Sequence, residues 1–199
     1  MPQPEQITVF SKSIPRQLDP EVQALFDKCL EKIGFVPNVF AAYAAKPKRL
    51  DNFRAMFNEL MLAPSGLSKL EREMVAVVVS SANHCYYCLV AHGQAVRHLS
   101  GDPELGEMMA MNYKVAHLDA RQRAMLDYAW KLTLTPSEIT DADRQQLKAV
   151  GLSEDDIFDL SEVAAFFNFT NRVASGLEQI PNREYHGLDR PTPFAGPSA

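Results

Sequence analysis

Basic residues, cysteines and long apolar runs are all scarce in this 199-residue sequence, and each scarcity excludes a class of protein. The formal net charge is −5, and the sequence shows none of the clustered Lys and Arg with which proteins bind nucleic-acid phosphates. The longest apolar runs, "MVAVVV" and "VAAFF", are far shorter than the ~20 residues that cross a bilayer. We therefore expect neither nucleic acid nor a membrane as a partner.

The N-terminal stretch "MPQPEQITVFSKS" does not have the basic start and the apolar stretch of about 7–15 residues that a secretory signal requires. We therefore expect a cytoplasmic protein. In a reducing compartment, three cysteines do not indicate a disulfide scaffold, and a close pair is more often catalytic or metal-binding. Cys29 lies on the apolar face of a predicted helix and is interpreted as a buried small hydrophobic residue. Chemistry is expected at Cys85 and Cys88.

Patterns typical of β-strands are also missing, and helical patterns occupy most of the chain. Between Asp19 and Gly34 apolar residues recur at three- and four-residue steps, and Gly34 is a typical C-terminal stop. The β-branched run of "LSKLEREMVAVVVSSANH" is ambiguous, but Ser68 and Glu71 form a capping-box pattern that predicts a helix from about Lys69. Because no second alternating segment exists to pair with a lone strand, the sequence predicts an all-α fold.

The later part of the chain carries the same helix signals. "ITDADRQQLKAVG" begins with a Thr or Asp cap, and "LSEDDIFDLSEVAAFFNF" begins with the capping pattern of Ser153 and Asp156. The latter segment resembles "GLSKLEREMVAVVVSSAN", which raises the hypothesis of a duplicated helical unit with one CxxC site. We predict a single all-α domain over residues 1–199, divided into N-terminal helices (1–66), a CxxC-bearing core (67–105), C-terminal helices (106–180) and a surface tail (181–199).

The close cysteines lie in "SSANHCYYCLVAHG", where His92 follows the second cysteine by four positions. If Cys85 stands near the start of a helix, with Asn83 as the candidate N-cap, then at ~100° per residue Cys85, Cys88 and His92 share one stripe of that helix. Two helical positions three apart also satisfy the Cα separation of about 4.4–6.8 Å that a disulfide requires. The spacing therefore permits a reversible dithiol–disulfide couple.

The surroundings of the two cysteines favour a reactive thiolate. A helix N-terminus can lower a CxxC thiol pKa from ~8.5 to roughly 3.5–7.5. Histidine is the side chain that commonly exchanges protons near neutral pH, and His92, one turn from Cys88, can hold the proton that the thiol loses. Glu73 in the preceding helix offers a carboxylate to orient the imidazole. For Glu73 a solvated helix position is an equally good interpretation, because Glu71, Arg72 and Glu73 are adjacent and only one face is expected to point inward.

Glu73, Cys85, Cys88 and His92 together form E-x11-C-x2-C-x3-H. This pattern resembles the signature of the alkylhydroperoxidase D-like branch of the carboxymuconolactone decarboxylase superfamily. The stretch "LEREMVAVVVSSANHCYYCLVAHG" is similar to that family, while "GFVPNVF" and "FNFTNRVASGL" are similar to its peroxidase-related members.

The resemblance implies a helical fold, assembly as a homo-oligomer, and hydroperoxide reduction without haem, flavin or metal. Cys88 would attack the peroxide, and Cys85, as the more exposed thiol, would resolve the product and accept electrons. The reductant would be a dithiol, for which a lipoyl-bearing protein is one candidate, and Glu73 and His92 would relay protons. Tyr87 stands where the best-known peroxidase of the family has a second histidine, and neighbouring His84 is the candidate to compensate.

Other interpretations stay open. The same cysteines with His92 are good zinc ligands, and His84 or His98 is available as a fourth. Haem attachment is excluded because Leu89, not a histidine, follows the second cysteine, and a thioredoxin-like enzyme needs βαβ patterns that are missing. A lactone decarboxylase-type enzyme would not need the cysteines, and a non-catalytic helical protein would use them to sense redox state or to hold metal.

The aromatic residues near the C-terminus also admit two interpretations. Phe166, Phe167 and Phe169 follow one another closely in "VAAFFNFTNRV". They either belong to the core of the fold or line an apolar substrate channel.

Overall fold

A computed structural model of the chain describes residues 6–10 and 15–190. Within these residues the chain forms ten α-helices and two 3₁₀ turns, and it contains no β-strand, so the predicted all-α fold is confirmed. None of the described helices has both the length and the apolar character needed to cross a membrane. The helices are α1 (Pro20–Ile33), α2 (Asn38–Tyr43), α3 (Pro47–Leu62), α4 (Lys69–Ala82), α5 (Tyr86–Ser100), α6 (Pro103–Asn112), α7 (Ala120–Leu134), α8 (Asp141–Ala149), α9 (Glu154–Gly176) and α10 (Glu184–Gly187).

Local sequence signals set the helix boundaries. α4 begins at Lys69 because the Ser68 hydroxyl accepts a hydrogen bond from the Glu71 N–H while the Glu71 carboxylate accepts one from the Ser68 N–H. Ser153 and Asp156 form the same capping box at the start of α9. Gly34 ends α1 in the left-handed region, with φ 82°. These predicted boundaries are confirmed.

The centre of the fold is α4, which packs against α5, α6, α7 and α9. Ten consecutive residues of α4, from Glu71 to Ser80, are buried. The main hydrophobic core surrounds this helix and includes Val77, Leu126 and Phe167. The expectation that only one face of α4 points inward was therefore wrong, because neighbouring helices cover the helix on every side.

Two charged residues of α4 are buried with partners of their own. The Glu71 carboxylate accepts a hydrogen bond from Arg121 Nε at 2.9 Å, which ties α4 to the start of α7. Arg72 donates to the carbonyl oxygens of Leu60 (3.1 Å) and Ala63 (2.9 Å) at the end of α3. Successive residues of a helix point ~100° apart, so adjacent charges reach different partners.

The C-terminal segment lies across α5. Arg97 of α5 donates hydrogen bonds to the carbonyl oxygens of Tyr185 (2.8 Å) and Leu188 (3.2 Å). His98 Nδ1 lies 3.0 Å from a carboxylate oxygen of Asp189, and this pair adds a second attachment. Of the predicted tail, Pro181 and Asn182 are buried, residues 183–190 run along α5, and residues 191–199 lie outside the described part of the chain.

Candidate active site

The connection between α4 and α5 places the first cysteine at a helix start. Asn83 is the C-cap of α4, and His84 follows with a left-handed φ of 53°. The chain then turns so that the N–H of Cys85 donates to the Ser80 carbonyl at 2.9 Å, and Cys85 becomes the N-cap of α5. The prediction of Asn83 as the N-cap was wrong, because the Asn83 side chain points to α9 rather than to the first turn of α5.

Both cysteines are buried, and no disulfide joins them in this structure. Cys85 is 1% exposed and Cys88 is 3% exposed, so the greater exposure expected for Cys85 is not found. The two thiols lie close enough for the Cys88 side chain to hydrogen-bond to Cys85. They form a small cluster with Tyr87 and with Ala174 of α9. This cluster is separate from the main core.

The two thiols differ in acidity. The pKa of Cys85 is lowered to about 7, chiefly because Cys88 hydrogen-bonds to its sulfur; Ser175 and the charge of His92 act in the same direction, and burial opposes them. The pKa of Cys88 is raised well above its ordinary value, first because its thiol hydrogen is engaged with Cys85 and then because it is buried. When the pair of thiols loses its first proton, the negative charge therefore lies on the Cys85 sulfur.

The imidazole and the carboxylate also meet. His92 Nδ1 lies 2.7 Å from Glu73 Oε2, and both side chains are largely buried, with exposed fractions of 16% and 12%. The imidazole packs edge-on against the ring of Phe167, with the ring centroids 4.6 Å apart. Because Glu73 holds Nδ1, the other ring nitrogen, Nε2, is the one available for proton transfer.

A cavity of about 260 Å³ joins these groups. Cys88, His92 and Glu73 all line it, whereas Cys85 does not. The walls are largely apolar, and α2, α3 and α9 contribute the aromatic rings of Phe40, Tyr43, Phe53, Phe57, Phe166 and Phe167. Phe169 is 54% exposed and lies outside the cavity, so the channel interpretation fits two of the three C-terminal phenylalanines.

Tyr87 and His84 occupy different surroundings. The buried Tyr87 hydroxyl accepts a hydrogen bond from the Val39 N–H at 3.0 Å, and burial raises the Tyr87 pKa well above its ordinary value. Tyr87 thus fixes the first turn of α2, one wall of the cavity, rather than standing ready to exchange protons. His84 is exposed and lines a second cavity of about 220 Å³, together with Cys85.

The sequence interpretation missed a polar cluster that meets the thiols from α9. Asn171 is 1% exposed, and its amide contacts Ser80 and Asn83. Asn171 and Thr170 lower the pKa of Cys88, but the larger effects of Cys85 and of burial raise it. The available signal was the change from the apolar run "VAAFF" to the polar residues Asn168, Thr170 and Asn171 within the same helical stretch.

Within residues 6–10 and 15–190, no group of three or more His, Cys, Asp or Glu side chains is placed to hold a metal ion. The zinc interpretation therefore finds no ligand set in that part of the chain. Neither His84 nor His98 joins the cysteines there: His84 is exposed, and His98 contacts Asp189.

Comparison with known proteins agrees with this geometry. The sequence model of the carboxymuconolactone decarboxylase family matches residues 47–110. A crystal structure of an uncharacterized peroxidase-related protein from Silicibacter sp. TM1040 is 56% identical, with a TM-score of 0.93 over 96% of this chain and 100% of that chain. An uncharacterized peroxidase-related protein with an alkylhydroperoxidase AhpD core, from Ralstonia eutropha JMP134, is 36% identical, with a TM-score of 0.89 over 94% and 98% of the two chains.

A more distant structure shows how widely the fold extends. The debrominase Bmp8 is 17% identical, with a TM-score of 0.75 over 90% of this chain and 97% of that chain, so the two share the fold. No curated protein matches the sequence significantly. The two closer similarities extend over nearly the whole chain, and the chain therefore belongs to the carboxymuconolactone decarboxylase superfamily, in its alkylhydroperoxidase D-like, peroxidase-related branch.

Proposed function

We propose that this protein reduces organic hydroperoxides with the Cys85–Cys88 couple and moves protons with His92 and Glu73. One observation carries the proposal. Cys88 opens into the same apolar cavity as the hydrogen-bonded His92–Glu73 pair, while its thiol hydrogen-bonds to Cys85. A nucleophile and a proton donor thus line one cavity, and a resolving thiol lies next to the nucleophile.

The first step is attack of sulfur on the peroxide. Transfer of the shared proton from Cys88 to Cys85 moves the negative charge to the Cys88 sulfur. This thiolate attacks the terminal oxygen of ROOH, the O–O bond breaks, and the departing RO⁻ takes a proton from protonated His92 to leave as ROH. Cys88 becomes a sulfenic acid, and Glu73 stabilises the imidazolium before the proton leaves.

The second step forms the disulfide. The Cys85 sulfur attacks the Cys88 sulfenic acid, the S–S bond forms, and the S–O bond breaks as water leaves with the Cys85 proton. A cellular dithiol then reduces the disulfide by thiol–disulfide exchange and is itself oxidised. A lipoyl-bearing protein remains one candidate for this reductant. Peroxide and dithiol balance the electrons without a resident cofactor.

The cavity walls favour an organic hydroperoxide over hydrogen peroxide. Aromatic side chains from α2, α3 and α9 surround the position that an R group would occupy beside Cys88. Burial of apolar surface contributes about 25 cal/mol per Å², and hydrogen peroxide has no such surface to bury. We therefore expect kcat/KM for cumene hydroperoxide to exceed that for hydrogen peroxide.

Assembly into a homo-oligomer belongs to the same proposal. Several large apolar side chains are exposed on the single chain, among them Met111, Phe158 and Phe169. Light scattering on purified protein measures the assembly directly, and a single-chain mass would contradict it.

The deciding experiment is a thiol count. Reduced protein treated anaerobically with one equivalent of cumene hydroperoxide should lose two of its three free thiols and release one equivalent of the alcohol. Peptide mass spectrometry should find the disulfide between Cys85 and Cys88 and leave Cys29 reduced. The Cys29→Ser variant is the matched control and should lose the same two thiols. An unchanged thiol count would overturn the proposal.

A further inference from the structure

Gln179 follows α9, and a backbone turn fixes its place in the fold. Glu178, the residue before it, has a left-handed φ of 47° and donates its N–H to the Ser175 carbonyl at 3.1 Å. The Gln179 N–H donates to the Ala174 carbonyl at 2.9 Å. These two bonds form a Schellman turn, which directs the chain back over the end of α9. Gln179 is only 6% exposed there.

Gln179 lies in the wall that two cavities share. The cavity of about 260 Å³ contains Cys88, the cavity of about 220 Å³ contains Cys85, and Gln179 lines both. Within the described part of the chain, the other residues that line both cavities are Tyr87 and Ala174. Those two residues form one cluster with the two cysteines. The shared wall that includes Gln179 is therefore the wall at the thiol pair.

The side-chain amide of Gln179 carries an unused hydrogen-bond donor. Its Nε2 is buried, and among the described residues no atom accepts a hydrogen bond from it. Two other buried nitrogens in those residues lack a partner, Arg72 Nε and Arg97 Nε, but each belongs to a guanidinium group that donates to two carbonyl oxygens through another nitrogen. The Gln179 amide has a single nitrogen, so an acceptor on a bound small molecule would satisfy it.

Most other polar side chains on the Cys88 cavity already bind protein atoms. Glu73 and His92 hold each other, the Gln94 amide donates to Asp189, and the Thr170 hydroxyl donates to the Phe167 carbonyl. The remaining walls are largely apolar. The volume of about 260 Å³ is just below the range of about 300–1,000 Å³ that is usual for small-molecule sites. The ligand that fits this cavity is therefore a small apolar molecule with an oxygen atom for the amide.

We propose that the Gln179 amide donates a hydrogen bond to the oxygen atom that is bonded to the R group of the hydroperoxide. This oxygen leaves in the alcohol when the Cys88 sulfur takes the terminal oxygen, and the hydrogen bond orients ROOH with that terminal oxygen toward Cys88. Because the same oxygen is present in the product, the amide also binds the alcohol. The role in turnover rests on the proposed function, whereas binding of an alcohol by the amide does not require turnover.

The test compares two ligands that differ in one polar group. Cumyl alcohol is the product of cumene hydroperoxide, and tert-butylbenzene has a methyl group in place of its hydroxyl. NMR titration of the reduced protein gives the Kd of each ligand. Gln179→Met removes the donor at similar side-chain length, so it should weaken the binding of cumyl alcohol about 5- to 10-fold, the loss of one hydrogen bond. Binding of tert-butylbenzene should be as tight as before or tighter. An unchanged Kd for cumyl alcohol, or equal weakening of both ligands, would overturn the inference.

A matched control and a stability measurement distinguish binding from a structural role. Gln94→Met is the control, because Gln94 lines the same cavity but its amide already donates to Asp189, and it should leave the Kd of both ligands unchanged. Gln179→Met removes a buried donor that has no partner, so it should unfold at the same urea concentration as the parent or a higher one. Lower stability of both Gln179→Met and Gln179→Leu would assign the amide a structural role and overturn the inference. Alcohol binding that depends on Gln179, in a protein that consumes no peroxide, would sustain the amide as the oxygen-binding group and refute the proposed function.

Discussion

Two segments of the chain, 66–83 and 151–169, begin with the same residues, Gly-Leu-Ser, and each enters a helix through a capping box. Their leucines are both buried, and both serines are N-caps. Counted from the shared glycine, Asn83 and Asn168 occupy equivalent places, and their side chains hydrogen-bond to each other at 3.0 Å. The starts of α4 and α9 are thus alike in sequence and in structure.

The ends of the two helices differ, and the site depends on that difference. α4 stops after 14 residues, and the left-handed turn at His84 delivers Cys85 to the start of α5. α9 continues for 23 residues, so its last turns lie beside both cysteines. Glu73 has Phe158 as its equivalent, which is exposed. One segment therefore leads into the thiols, and the other supplies the side chains around them.

Removing a thiol next to α4 should have the largest effect. Cys88→Ser should lower peroxide reduction at least about 1,000-fold, because it deletes the attacking atom. Cys85→Ser should stop multiple turnover but still permit one oxidation of Cys88. Trapping with dimedone and mass spectrometry should find sulfenic acid in Cys85→Ser and none in Cys88→Ser. Sulfenic acid in Cys88→Ser but not in Cys85→Ser would show that Cys85 attacks the peroxide and Cys88 resolves the product.

The two glutamates of α4, Glu71 and Glu73, should differ in their effect on catalysis. Glu73→Gln should lower kcat/KM about 10- to 100-fold, because the imidazole loses the charge that orients and stabilises it. Glu71→Gln, two positions away, is the matched control: glutamine still closes the capping box, and only the pair with Arg121 is lost. Steady-state kinetics of both variants should separate them, and equal losses would remove Glu73 from the proton relay.

The pH dependence tests how the two thiols share charge. Thiolate absorbance of the Cys29→Ser protein should show one midpoint at about pH 7, since the Cys85 pKa is lowered to about 7, and a second only far above it. The thiolate population falls about tenfold for each pH unit below that midpoint. Cys88→Ala should move the first midpoint upward, because it removes the hydrogen bond that lowers the Cys85 pKa most. If the midpoint of Cys88→Ala does not move, a group other than Cys88 must lower the Cys85 pKa.

Substitution of the glycines that begin the two segments, Gly66 and Gly151, should have the smallest effect. It should change stability and leave activity unchanged. A Cβ on Gly66 would lie 1.7 Å from Asp156 Oδ1, so Gly66→Ala must displace the residue that closes the α9 capping box. Gly151 has a left-handed φ of 90°, and Gly151→Ala strains the backbone without touching a neighbour. Each should lower the free energy of unfolding by about 1 kcal/mol in urea titrations.

Double substitutions distinguish the two causes of lost stability, which are the displaced capping residue at Gly66→Ala and the backbone strain at Gly151→Ala. Gly66→Ala with Ser153→Ala should cost less than the sum of the single changes, since both act on one capping box. Gly151→Ala with Ser68→Ala should be additive, because Ser68 caps α4, the other helix. Additivity in the first pair would contradict the proposed link between Gly66 and the α9 cap.

The sequence was most informative where a signal and its structure are close together in the chain. Capping boxes at Ser68 and Ser153 act within one turn, so they predicted the starts of α4 and α9. The spacing of Cys85, Cys88 and His92 on one helix predicted that they would share a face, and the described cavity contains two of the three. The all-α fold followed from the same local patterns.

These local signals could not predict contacts between segments that are far apart in the chain. Asn83 looks like an N-cap in the sequence, but α9 arrives beside it and takes its side chain. The burial of Cys85 depends equally on α9, through Ala174. The covering of α4 on every side is a property of four packed helices, and no pattern within α4 alone distinguishes it from a half-exposed helix.

The residues that precede α4, Ser65 and Gly66, are held by hydrogen bonds to α7 and α9. Arg121 of α7 donates to the Gly66 carbonyl at 2.9 Å, and the Ser65 hydroxyl donates to Asp159 of α9. The family match at residues 47–110 contains α3, α4, α5 and most of α6, but neither Arg121 nor Asp159. We therefore expect a chimera that transplants this stretch between relatives to need a compatible first turn of α7 and compatible first two turns of α9.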